Sequence, residues 1–285
     1  MVASLHKYNE NHDEQGRFGF TGQVHIPKDP NPKRPPRSLT DLLQKVNIHG
    51  RDVYHQTPNV KEIVLAKSGE EALKLGMPLR ANGMTHSSTR VIVLSKDLAD
   101  PVETVLRKGM VSSAEDLDAM QVLNHEVLHL TGASDSIYYQ QPEGRALEEG
   151  LTEGVSELTT VKWVESLGIQ IYPPLKELYT DKSNGSTSVG SSYPDEVLAV
   201  TQLAEGLSKL GGKPYVSYLE TWKNDTVPRE RIPLITKQFA EARGLSTTDS
   251  SLAIMQRDLK VALGSGSNAP RKVRTWIKDD FKGKK

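Results

Sequence analysis

Both β-branched runs of this chain fall in its first third, EIVLA at 62–66 and TRVIVLS at 89–95. Beyond Ser95 the apolar spacing turns helical and stays so. That segregation constrains the fold more than any other feature. Strands that alternate with helices build a parallel sheet between helical layers, whereas strands gathered at one end predict a small sheet packed on helices, an α+β layout. The expected helices are short at first, SLTDLLQKVN from an N-cap at Ser38, then longer. SSAEDLDAMQVLNHEVLHLTG opens with a capping box of Ser112 and Glu115, carries an apolar stripe of Met120, Leu123, Val127 and Leu130, and closes at Gly132. A second long helix is expected over 143–167, stopped by Gly168, and further ones over 194–210, 214–222, 232–243 and 248–263. The turn ANGM precedes the second strand, and no internal repeat is present.

The two ends differ from this middle. Residues 1–38 are polar, with prolines at 30, 32, 35 and 36 that forbid a helix, and predict a disordered Pro-rich arm. Residues 265–285 begin GSGSN and carry seven Lys/Arg against two Asp from position 271, which predicts a flexible basic tail. A single folded domain is expected over 39–264. Lys plus Arg equals Asp plus Glu at 36 each, so bulk charge does not argue for nucleic acid, and the tail lacks interleaved aromatics. No apolar run approaches the length that spans a membrane, and the N-terminus lacks the apolar stretch of a secretory signal. A cytoplasmic or virion-associated setting is the expectation. The absence of cysteine removes disulfides, thiolate ligands and a thiol nucleophile, leaving His, Asp and Glu as the strong metal ligands.

Within the first long helix stands His125-Glu126-Val127-Leu128-His129. Residues four apart share one helix face, so both imidazoles can grip one cation, while Glu126 sits about 100° round the helix, beside the ion and not on it. This H-E-x-x-H spacing is that of two zinc ligands and a base for the water they activate. A third ligand is needed, and no histidine follows position 129. Asp135 is one candidate, in HEVLHLTGASD, where Gly132 would turn the chain back. Glu149 is the other, in ALEEGLTEGVSE, where Glu149 and Glu153 share a helix face opposite Leu147, Leu151 and Val155. An antiparallel second helix would bring Glu149 to the metal, and Glu153 would hold a histidine by its other ring nitrogen. Gly150 and Gly154 would allow those two helices to approach closely.

The H-x-x-G-x-x-D continuation to Asp135 resembles the metzincin layout, which also expects a methionine turn; the only methionine after His129 is Met255. The nineteen residues between His129 and Glu149, and the E-E-x-x-x-E segment, resemble the gluzincin (thermolysin-like) metallopeptidases, and EEGLTE is similar to the glutamate segment of aminopeptidase-type members. This resemblance, which covers roughly residues 88–165, favours Glu149. It implies a zincin-like core holding Zn2+ and hydrolysis of a protein or peptide substrate, whether as endopeptidase or aminopeptidase. Glu126 would then be the general base, and the strand RVIVLS would be the edge that binds substrate backbone. It also implies a second electrophile for the oxyanion, and Tyr193, after the lid-like stretch DKSNGSTSVGSS, is the candidate; Tyr138 and Tyr139 lie nearer in sequence. His6, His12, His25 and His86 are expected at the surface. YNENHDEQGRF (8–18) resembles segments of tailed-phage head proteins, implying a phage or prophage setting with virion proteins as partners. The alternative reading is a phage structural or interaction protein with a non-catalytic zinc site.

Overall fold

The computed structural model describes residues 31–54, 56–79, 81–132, 136–182, 193–245, 247 and 249–279. The segment 8–18, the histidines at 6, 12 and 25, Asp135 and most of the lid-like stretch lie outside the described residues.

The chain is mixed α+β and mostly helical, with its larger sheet near the start. Helix α1 (Leu39–Tyr54) leads to β1 (Glu62–Leu65), the short α2 (Gly69–Lys74), β2 (Gly83–His86) and β3 (Val91–Leu94). The strand order is β1-β3-β2, with β1 parallel and β2 antiparallel to β3. The VIVL run is therefore the central strand and not the expected edge. Its buried residues serve both faces: Ile92 and Leu94 enter the main core, and Val93 packs with Ala66, Ala72 and Met77 beneath α2. The edges are β1 and β2, and β2, GMTH, carries too few β-branched residues to be read as a strand and overlaps the expected turn ANGM. His86 is half-buried, its Nε2 2.9 Å from the Leu75 carbonyl, and does not face solvent as expected.

After α3 (Lys96–Lys108) and β4 (Met110–Val111) comes α4 (Ala114–Leu128). Its capping box is one residue later than the Ser112–Glu115 pair. Ser113 Oγ accepts from Asp116 N, and Asp116 Oδ2 accepts from Ser113 N and from both the amide and hydroxyl of Ser112. The shorter acid gathers three donors, which the Ser112 register does not offer. The α4 stripe is buried as expected, yet so are Gln121, Asn124, His125 and Glu126 opposite it. The helix is a central strut, with β2 on one side and α6 (Pro142–Ser166) on another. Between them lies the single turn α5 (Ser136–Tyr139), and β5 (Gln170–Ile171) pairs with β4.

Helices α7 (Pro173–Lys182), α8 (Pro194–Lys209), α9 (Tyr215–Glu220), α10 (Arg231–Ala242), α11 (Asp249–Leu263) and α12 (Ala269–Asp279) complete the chain. Gly150 of α6 packs against α8, not α4: a Cβ there would lie 2.5 Å from the Glu196 carbonyl oxygen. A π-helical turn, Thr221–Asp225, follows α9 directly.

Both predicted soft ends need correction where they are described. Residues 31–37 pack on the body, with Pro32 and Arg34 carbonyls against Gly168 and an Arg37 Nη1 donating to the Arg107 carbonyl at 2.7 Å. Within the segment read as a flexible tail, Ala269–Asp279 form α12, which buries Ala269, Val273 and Trp276, the last edge-on to Phe239 with ring centroids 5.2 Å apart. Charge counting missed this because apolar residues at 269, 273 and 276 place one face of a basic helix inside. No helix among the described residues is long and apolar enough to cross a membrane. Replacing Trp276 with Ala should cost about 3–5 kcal/mol, the usual range for a buried aromatic, measured by urea denaturation; a cost near zero would restore the flexible-tail reading.

Candidate metal centre

Helices α4 and α6 run antiparallel, as their paired contacts show. Gln121 and Asn124 meet Ser156, while His125 and the α4 C-cap residue His129, further along the chain, meet Glu153, Glu149 and Glu148, earlier on α6. The two imidazoles converge as the i,i+4 spacing predicts, with Nε2 atoms 3.0 Å apart and ring planes at 76°. Glu149 Oε2 lies 3.4 Å from His125 Nε2 and 3.5 Å from His129 Nε2. The three ligand atoms lie within 4.8 Å of one another, close enough to hold one metal ion. Glu149 is thus the third residue of the cluster. Asp135, the alternative, lies outside the described residues.

The partners of the outer imidazole nitrogens determine which inner atoms would face a metal ion. His125 Nδ1 is 2.6 Å from Glu153 Oε2, and Gln121 Nε2 donates to the other Glu153 oxygen at 3.3 Å. His129 Nδ1 is 3.3 Å from Glu148 Oε1. A ring that donates Nδ1–H to a carboxylate presents a lone pair at Nε2. Tyr139 donates to Glu149 Oε1, while Oε2 is buried without a hydrogen-bond partner. Two imidazole nitrogens and an unsatisfied carboxylate oxygen therefore meet at one buried point, an arrangement that a metal cation would satisfy.

The electrostatics agree. Burial opposes the charged form of His125, but the adjacent carboxylates of Glu149, Glu153 and Glu126 outweigh it and raise its pKa to about 10. His129 is raised in the same way against burial, chiefly by the charge of Glu149. Glu149 is held well below the usual carboxylate range, the His129 charge and both imidazole contacts overcoming its own burial. The same carboxylates would attract a metal cation to that point. Counting charge, Glu126, Glu148, Glu149 and Glu153 face two buried cations, Lys223 and Arg231.

Glu126 projects from α4 toward the sheet edge. Its Oε2 lies 2.7 Å from Thr85 Oγ1 on β2, and a Cβ at Gly83 would stand 2.7 Å from its Oε1. The missing side chain of Gly83 is what lets the strand pass so close. Tyr193, the N-cap residue of α8, stacks its ring over His125 with centroids 5.8 Å apart and planes at 10°. Burial and the charges of Glu149 and Glu126 raise its pKa, so the phenol stays protonated at neutral pH and can donate. All of His125, Glu126, His129, Glu149, Glu153 and Tyr193 thus gather in one region. Sequence reading did not find Thr85, Glu148, Lys223 or Arg231. Only Glu148 left a signal, as the first residue of the E-E-x-x-x-E segment.

Zinc added to the purified protein should raise its melting temperature, and Glu149→Ala should abolish that rise. Glu153→Ala should weaken zinc binding by about 10- to 100-fold, the usual cost of losing a carboxylate behind a ligating histidine. Competition with a chromophoric chelator measures both. Compared with models of known protein families, with curated proteins and with solved structures, the chain matches none.

Proposed function

We propose that the chain is a zinc-dependent peptidase of gluzincin type, with a zincin-like core. The observation that carries this reading is the convergence of His125 Nε2, His129 Nε2 and Glu149 Oε2 on one point, on the same helix turn as the uncoordinated acid Glu126. His125, His129 and Glu149 would hold the ion with three protein ligands, the number that distinguishes hydrolytic zinc sites from closed four-ligand structural ones. Zinc, when bound, supplies a Lewis acid that lowers the pKa of water toward 7 and polarises a carbonyl.

The chain's own residues supply the rest. Glu126 takes the proton of the attacking water and later gives it to the leaving amine, aligned meanwhile by Thr85. Tyr193 donates to the oxyanion that develops on the scissile carbonyl. The edge that receives an extended peptide is β2, since backbone pairing requires a strand with one unpaired side, which excludes the central β3, and of the two edges β2 is the one that lies against Glu126. A protein or peptide is the substrate.

Glu126→Gln should keep zinc at wild-type stoichiometry and lower peptide hydrolysis by about 10²–10⁴-fold, as loss of a general base does. Metal analysis and cleavage of a fluorogenic peptide library measure the two. A wild-type protein that holds zinc and cleaves nothing would instead support a structural or interaction role for the site. Tyr193→Phe should lower kcat with a smaller change in KM.

A further inference from the structure

Lys223 and Arg231 are each only 1% exposed, and neither takes part in the chemistry proposed above. Lys223 lies in the π-helical turn and Arg231 opens α10, 75 and 83 positions after Glu148. Both converge on that one carboxylate. Lys223 Nζ donates to Glu148 Oε1 at 2.6 Å, and Arg231 Nη1 donates to Oε2. Arg231 Nη2 also donates to the Lys223 carbonyl at 3.2 Å, tying the two cations together. Gln56 fixes the π turn from the other side, bridging the Asn224 carbonyl and the Gly132 amide just beyond α4.

As a stability device this network is poor. Removing an ammonium and a guanidinium from water costs several kcal/mol each, and apolar side chains of similar volume often stabilise a fold as well or better. What the network does fix is direction. With a cation on each oxygen, Glu148 cannot rotate, and the Oε1 held by Lys223 is the atom beside His129 Nδ1.

We propose that Lys223 and Arg231 are positioning residues for His129, acting through Glu148: they hold the carboxylate where it accepts Nδ1–H, which keeps Nε2 aimed at the point shared with His125 and Glu149. This rests on the metal-centre reading above. It assigns the helices beyond α8 a part in a site whose ligands all lie on α4 and α6.

The triple variant Glu148→Leu/Lys223→Met/Arg231→Met removes every charge of the network and leaves none buried alone. It should fold, by circular dichroism and urea denaturation of the zinc-free protein, and bind zinc about 10- to 100-fold more weakly than wild type. A folded triple variant with wild-type zinc affinity overturns the proposal. Lys223→Met alone leaves Arg231 on Glu148, so it tests the idea even if the triple variant does not fold. Its zinc affinity should fall by a smaller factor, and an unchanged affinity counts equally against the proposal. Wild-type protein that binds no zinc sinks the metal-centre reading itself, whereas wild-type binding that all variants retain sinks the positioning role alone.

Discussion

The antiparallel contact of α4 and α6 is the constraint on which the site depends. Its register is set by a polar seam one turn away from the histidines. Asn124 Nδ2 faces the Ser156 carbonyl and the Thr159 and Thr160 hydroxyls at 3.3, 3.2 and 2.9 Å, and Ser156 Oγ donates to the Gln121 carbonyl at 3.1 Å. Tyr54, from α1, donates to the remaining Asn124 oxygen. A slide of one turn, about 5.4 Å, would strand these buried groups without partners at a cost of roughly 1–3 kcal/mol each. The apolar stripe alone would tolerate such a slide far better. Because the seam forbids it, Glu149 arrives opposite both imidazoles, and Glu153 and Glu148 arrive behind them.

The second constraint is charge. Carboxylates and cations buried this densely are tolerable only as a complete set, since a single unpaired member costs more than the whole set gains. The set spans distant parts of the chain: Glu126 on α4 with Thr85 from the sheet edge, three glutamates on α6, Lys223 from the π turn and Arg231 from α10. π turns occur often at functional sites, where they place one side chain out of helical phase. Here the turn buries Lys223, Trp222 and Asn224.

Much of the site was legible because its spacing is local. The distances His125 to His129 and Glu149 to Glu153 are each one helical turn, and a turn brings such side chains together in any fold. The helices α6 and α8 to α11 were legible for the same reason, marked by Pro at the start of α6 and α8 and by Gly168 just beyond α6, whereas α7 was not read. Strand β2 was not, because GMTH lacks β-branched runs and owes its strand geometry to pairing with β3. The helix over Ala269–Asp279 was hidden by its charge, and α1 ran on to Tyr54 past Gly50, which looks like a stop. That glycine is kept for space: a Cβ there would meet Pro58 at 2.4 Å.

The sequence by itself determined the helix-bearing body with its strands gathered early, the pair of imidazoles on one face and the pair of carboxylates on another. These follow from periodicities of three to four residues, which the backbone enforces wherever a helix forms. Only the tertiary structure decided that the two faces meet, that β3 lies inside the sheet and β2 at its edge, and that Lys223 and Arg231 close on Glu148. Those outcomes turn on which buried polar groups find partners across α4, α6 and the π turn, and a pairing between residues 75 or 83 positions apart has no periodicity to announce it.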